Sequence, residues 1–250
     1  MNIQELFKKW EKYLTGKEDH QPGQLLENHS VMVNIQLMVD DDFRYRAFNE
    51  AGLEMSKNKE IYQKHFCSNE HLIRALTKWY KETQSLYVRR LTEDSKQWKD
   101  TCSLMNLLTD IEKNSCHVNR KSFCDFYKHE ETYANSMFDI LSEKNADRKL
   151  SDKISINYIE QLKAKLRTAE IIDVKAYTDK VVAHSDFKSF NDGLSINKIQ
   201  KCHESIIKVY KEIELNFFLR VSYFGETKLQ KELVLRNADK PFYDIKKKRY

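Results

Sequence analysis

The chain has 250 residues, only 5 of them Gly and 2 Pro, so it lacks the turn formers that an all-β protein of this length requires. Charged residues make up 32%, and 43 Lys and Arg against 38 Asp and Glu leave a net +5, which permits an anionic partner without demanding one. The absence of a run of about 18 apolar residues argues against a membrane span, and a first segment that is amphipathic rather than apolar argues against a secretory leader.

The apolar residues recur with the helical period, which predicts an all-α chain. A first helix over residues 3–14 carries the stripe Leu6, Phe7, Trp10, Tyr13 and Leu14 and stops at Gly16. After Gln21-Pro22-Gly23, an apolar stretch over 25–53 is expected to break at Asp40-Asp41-Asp42, where an acidic residue is suited to cap a new helix. Ser68-Asn69-Glu70 starts a helix reaching Leu91, with the stripe Leu72, Leu76, Trp79, Leu86 and Val88. Ser103 starts a compact helix containing Leu104, Leu107, Leu108 and Ile111. One helix is expected over 119–142, then others over 151–167, 169–183 and 195–223.

From Gly225 the pattern weakens. Leu233-Val234-Leu235 and Pro241-Phe242-Tyr243 are candidate docking segments, and Lys246-Lys247-Lys248-Arg249 is a basic end. The economical architecture is one helical domain over 1–225, with 1–16 as a peripheral helix, 25–225 as the core bundle and 226–250 as a weakly structured basic tail. Five scattered cysteines without a CxxC fit reduced thiols, so a cytoplasmic location is expected.

The stretch from Asp173 to Asp186 holds the most chemistry. On a straight α-helix Asp173, Tyr177, Lys180 and Lys188 fall within about 40° of His184, beside an apolar arc of Ile171, Val174, Val181 and Val182. That puts His184 on a polar stripe at the edge of a buried face, where a partly desolvated functional histidine belongs. A structural histidine bonded to Asp186 or to backbone fits the same pattern.

Asp179-Lys180-Val181-Val182-Ala183-His184-Ser185-Asp186 resembles the Arg-Asp-Lys-x-x-Ala-His-Ser-Asp signature of HEPN proteins, most closely the AbiU type found in abortive infection. Weaker likeness extends through 72–94, with its Val88-Arg89-Arg90-Leu91 core, and through 103–114, so that residues 25–225 are covered. The resemblance implies a HEPN-like helical bundle that pairs two-fold as a homodimer. In active members it implies a metal-independent ribonuclease in phage defence or a toxin-like system, with an antitoxin or second subunit as a further partner. A histidine there helps to remove the ribose 2′-hydroxyl proton, and an arginine holds the phosphate. The chemistry suits the residues, since an imidazole exchanges protons near neutrality and a guanidinium offers directed donors to phosphate.

The sequence departs from the signature at the arginine. The three slots it takes in the family are Asp179, Thr178 and Tyr177 here, and none is basic. Lys180 and Lys188 lie one turn before and after His184, but an ammonium lacks the bidentate fork. The expected site is therefore His184 as base with Lys180 as phosphate contact and Asp179 and Asp186 beside them. Tyr177, Lys175, Lys188, Arg89 and Arg90 are candidate RNA contacts. Asp186 stands where a related toxin class has a modified tyrosine, so that form of regulation is not implied.

Two readings follow beside the ribonuclease: a silent module that binds RNA or a partner protein, and a helical adaptor in a defence complex. Cys116-His117 with Cys124 and His129 lacks the spacing of a zinc ligand pair, and no glycine-rich phosphate loop occurs, so neither a metal nor a nucleotide cofactor is expected.

Overall fold

The computed structural model describes residues 2–16, 30–57, 60, 70–94, 102–144, 147–183 and 194–221. They are all-α, and their sole β feature is an isolated bridge between Asn119 and Lys153. The helices are α1 (Ile3–Thr15), α2 (Val31–Ser56), α3 (Glu70–Thr92), α4 (Leu104–Asn114), α5 (Arg120–Phe126), α6 (Glu131–Ser142), α7 (Ile156–Lys165), α8 (Ala169–Tyr177) and α9 (Ile196–Phe218). None of them is long and apolar enough to cross a membrane. The tail segments at 233–235, 241–243 and 246–249 lie outside the described residues.

Most helix starts are made by local side chains. Asn2 and Glu5 form a reciprocal capping box on α1, and Gly16 closes that helix in the left-handed region at φ 79°. Ser103, Asn119, Ser155, Thr168 and Ser195 each accept a backbone N–H three residues on, opening α4, α5, α7, α8 and α9.

The buried apolar residues form one connected cluster from α1 to α9. α9 runs through its middle. Its first half packs with α2, α3 and α8, and its second half meets α6, α7 and the aromatic residues of α1. The N-terminal helix, expected at the periphery, is built into this core instead. Leu6, Trp10 and Leu14 have no exposed surface, and Phe7 touches Phe123, Phe126, Tyr127 and Phe218. The Trp10 indole N–H donates to Asp110 of α4 at 2.9 Å, so the ring's single polar atom is satisfied.

Five other expectations are corrected, most of them by partners distant in sequence. α2 runs unbroken through Asp40-Asp41-Asp42, because Asp41 and Asp42 turn inward rather than capping. Asp42 accepts the Tyr80 hydroxyl at 2.6 Å, and Asp41 accepts the Tyr87 hydroxyl at 3.3 Å. The buried face of α3 holds Tyr80, Gln84, Ser85 and Val88, while Leu72 and Trp79, expected inside, are about half exposed. Tyr80 wins its place by stacking on Tyr45, ring centroids 3.9 Å apart, as well as by bonding Asp42.

The single helix expected over 119–142 is two, split at Tyr127, whose hydroxyl donates to the Phe217 carbonyl of α9 at 2.8 Å. α7 starts at Ile156 rather than at Ser151, because Asp152 is held by the Lys149 N–H and the Lys144 ammonium and Lys153 bridges to Asn119. α9 ends at Phe218, short of Tyr223, with Leu219 in the left-handed region at φ 52°.

Candidate functional site

The described part of the motif begins on α8. Ile171 and Val174 are buried, and the flank beside them is tied to α9 by Lys201–Glu170 at 3.4 Å and Lys198–Asp173 at 2.6 Å. Past Tyr177 the helix widens into a π-helical turn, Thr178–Ala183. Thr178 supplies a local cause. Its buried hydroxyl lies 2.9 Å from the Val174 carbonyl, one turn back, and 3.2 Å from the Ser85 carbonyl of α3. A threonine that bonds back into its own turn competes with the backbone ladder and bends it.

A π-turn closes hydrogen bonds over one residue more than an α-turn, so residues after Thr178 lag behind their α-helical directions. Lys180, on the π-turn, is therefore displaced from the straight-helix stripe of Asp173 and Tyr177. His184, Asp186 and Lys188 lie outside the described residues.

The turn docks on α3, and α8 runs antiparallel to it: Lys175 meets Glu93 near one end, and Thr178 meets Ser85 further back. Between them Arg89 forms an ion pair through Nη1 with the Asp179 carboxylate. Its Nε lies 3.6 Å from Glu93 Oε2, and the Lys175 ammonium lies 3.5 Å from the same oxygen. Two cations thus converge on one carboxylate oxygen, and a second carboxylate, from the motif turn, takes another edge of the guanidinium. Their formal charges cancel, two positive against two negative. All four side chains are about a third to a half exposed, so each contact contributes under about 1 kcal/mol in water.

This arrangement divides the expected RNA contacts. Arg89 and Lys175 come together with Asp179. Arg90, adjacent to Arg89 in sequence, lies elsewhere: its charge acts on the Tyr87 hydroxyl, which bonds Asp41 of α2. Tyr177 has its ring partly packed on the core, and burial, with the Glu82 charge as the lesser cause, pushes its phenol up. It keeps its proton, and its ring is only partly exposed. Lys180 is exposed on the π-turn.

Thr178 has no exposed surface, so a guanidinium there would be desolvated against the Ser85 carbonyl. The next residue, Asp179, pairs with Arg89 of α3. The i, i+4 spacing of Arg89 to Glu93 is readable in the sequence, but its pairing with Asp179 is not.

A histidine of α9 is also buried. His203 has a ring Nε2 with no hydrogen-bond partner, and the Gln84 side-chain carbonyl of α3 also lacks one. Burial holds the imidazole down at about 4, with Asp42 raising it and Arg46 lowering it further. At neutral pH it is uncharged and sealed from solvent, and it is unsuited to proton exchange with a substrate. Cys116, His117 and His129 are exposed while Cys124 is buried, and among the described residues no three His, Cys, Asp or Glu side chains are grouped to hold a metal ion. No family model, curated protein or solved structure matches the chain.

Proposed function

We propose that this chain is an RNA-directed protein of the HEPN type, acting as a metal-independent endoribonuclease with His184 as its base and Arg89 as its phosphate-binding guanidinium. The observation that supports this reading is the ion pair between Arg89 and Asp179, which brings a guanidinium to the motif turn although the motif carries none. Lys175 adds a second cation, sharing the Glu93 Oε2 oxygen with Arg89. A guanidinium engages a phosphodiester through two parallel donors and stabilises charge developing on it, which Lys180 alone would do less well. The homodimer and the setting in phage defence or a toxin-like system rest on the sequence resemblance.

The second reading is a silent module that binds RNA without cutting it. It is favoured by the neutralisation of both cations, Arg89 by Asp179 and Glu93, Lys175 by Glu93. One experiment separates the two. Purified protein is incubated with total cellular RNA in EDTA beside His184→Ala and Arg89→Gln. Cleavage by the parent chain that falls by about 100-fold or more in each variant supports the ribonuclease. Binding without cleavage, weakened in Arg89→Gln alone, supports the silent module. Neither binding nor cleavage at low salt, where phosphate contacts are strongest, removes both.

A further inference from the structure

We propose that Asp179 is a removable stopper on a phosphate seat formed by Arg89 and Lys175, so that the motif turn itself sets how tightly RNA is held. The proposal rests on the RNA-directed reading above. Glu93 Oε2 lies 3.6 Å from Arg89 Nε and 3.5 Å from Lys175 Nζ, an anionic oxygen between a fork and a point charge. Two phosphate oxygens need one more edge of the guanidinium, and the Nη1 edge is the one that Asp179 occupies.

The two carboxylates are not equivalent. Glu93 follows Arg89 by four residues at the end of α3, so it stays beside the guanidinium whatever the neighbouring elements do. Asp179 comes from another element, the π-turn, and its side chain is 50% exposed. π-turns are rare, and relaxing one to an α-turn moves every residue on it around the helix axis. A change at the turn therefore withdraws Asp179 and leaves Glu93 in place. The seat then gains a net positive charge and an open guanidinium edge. An arriving phosphodiester does the reverse, displacing Asp179 from Arg89 while Thr178 still holds the turn to α3.

The test measures binding of a short, fluorescently labelled single-stranded RNA at low salt by anisotropy. It compares the parent chain with Asp179→Asn, Asp179→Ala, Arg89→Gln, the double variant Asp179→Asn with Arg89→Gln, and Glu170→Gln. Glu170 lies on α8 and pairs with Lys201, so its substitution removes the same charge from the same region without touching the seat. Far-ultraviolet circular dichroism confirms that each variant is helical.

The stopper predicts at least about fivefold tighter binding for both Asp179 variants, a gain under about twofold for Glu170→Gln, and no gain when Arg89 is absent. An equal gain from Glu170→Gln, or a gain that survives the loss of Arg89, overturns it, because the effect is then one of overall charge. If the parent chain binds and Arg89→Gln weakens it while the Asp179 variants gain nothing, the stopper falls and the RNA reading stands. If no variant binds RNA, the RNA reading falls and takes the stopper with it.

Discussion

The two ends of α9 bury polar groups by opposite means. Around its C-terminal half charge is enclosed and paired, although Arg120 Nε and Asn216 Oδ1 have no hydrogen-bond partner. Arg120 of α5, wholly buried, bonds Asp139 at 2.9 Å, the Asn135 carbonyl at 3.2 Å and Ser142 at 3.3 Å, lies 3.7 Å from Asp152, and stacks over Phe138. Asp139 holds Arg148 at 2.6 Å as well, and Asp152 holds Lys144 at 2.9 Å. Around the N-terminal half the buried polar groups are answered only in part. Asp42 and Tyr80 pair well, yet His203 Nε2 and Gln84 Oε1 lack partners between the same helices.

A buried ion-pair network is costly to break, whereas contacts between partly exposed groups open cheaply. The motif turn docks on the second region, on α3, through contacts that are mostly exposed. The contrast is between a closed frame and an adjustable face.

The largest test of the contrast is Arg120→Ala. It leaves Asp139 and Asp152 without their buried partner and opens a cavity under Phe138, so a loss of about 3–5 kcal/mol is expected in urea unfolding. A loss below about 1 kcal/mol would mean that Arg148 and Lys144 alone satisfy the two carboxylates, and the region would not be the closed frame described.

Next in size is a pH effect from the other end of α9. The folded chain holds His203 down at about 4, whereas the unfolded chain titrates it near 6.5. Below about pH 6.5 the unfolded state takes up the proton first, so stability declines as pH falls from there towards about 4 and then levels off, by about 3 kcal/mol in all. Asp41, pushed up chiefly by burial, works in the opposite sense nearer the carboxylate range. The difference between the parent chain and His203→Leu isolates the histidine. Unfolding midpoints measured from pH 7 to pH 4 should fall in the parent, and fall less in the variant. Parallel profiles would show that His203 is not sealed, and that this half is no less satisfied than the other.

These two regions also mark what the sequence made legible. Helix starts at Ser103, Asn119 and Ser195 were readable because a cap acts on the N–H three residues on. Arg120 and His203 were not, since the first looks like any surface cation and the second like any helix histidine until distant partners enclose them. Asp41 and Asp42 misled for the same reason: a carboxylate that caps in isolation turns inward when Tyr80 and Tyr87 arrive from another helix. At the candidate site the spacing exposed the motif and the gap in it. Arg89 could be recognised as basic but not as the neighbour of Asp179, because their meeting depends on how α3 and α8 cross, which no local pattern encodes.

The smallest expected effect is on stability at the motif turn, and its smallness carries the argument. Asp179→Asn removes an ion pair between half-exposed groups, so it should cost under about 1 kcal/mol, and less as salt is raised. The Thr178 hydroxyl, buried against the Ser85 carbonyl, still holds the turn to α3 in that variant. If urea unfolding instead shows a loss near that of Arg120→Ala, the Arg89–Asp179 contact belongs to the frame, and a phosphate could not displace it without unfolding the region. If the loss is small and vanishes at high salt, the contact is weak enough for an incoming phosphodiester to compete for the guanidinium. A cheap contact on the adjustable face, beside an expensive one in the frame, is what allows one helix bundle to hold its shape while its anion seat opens.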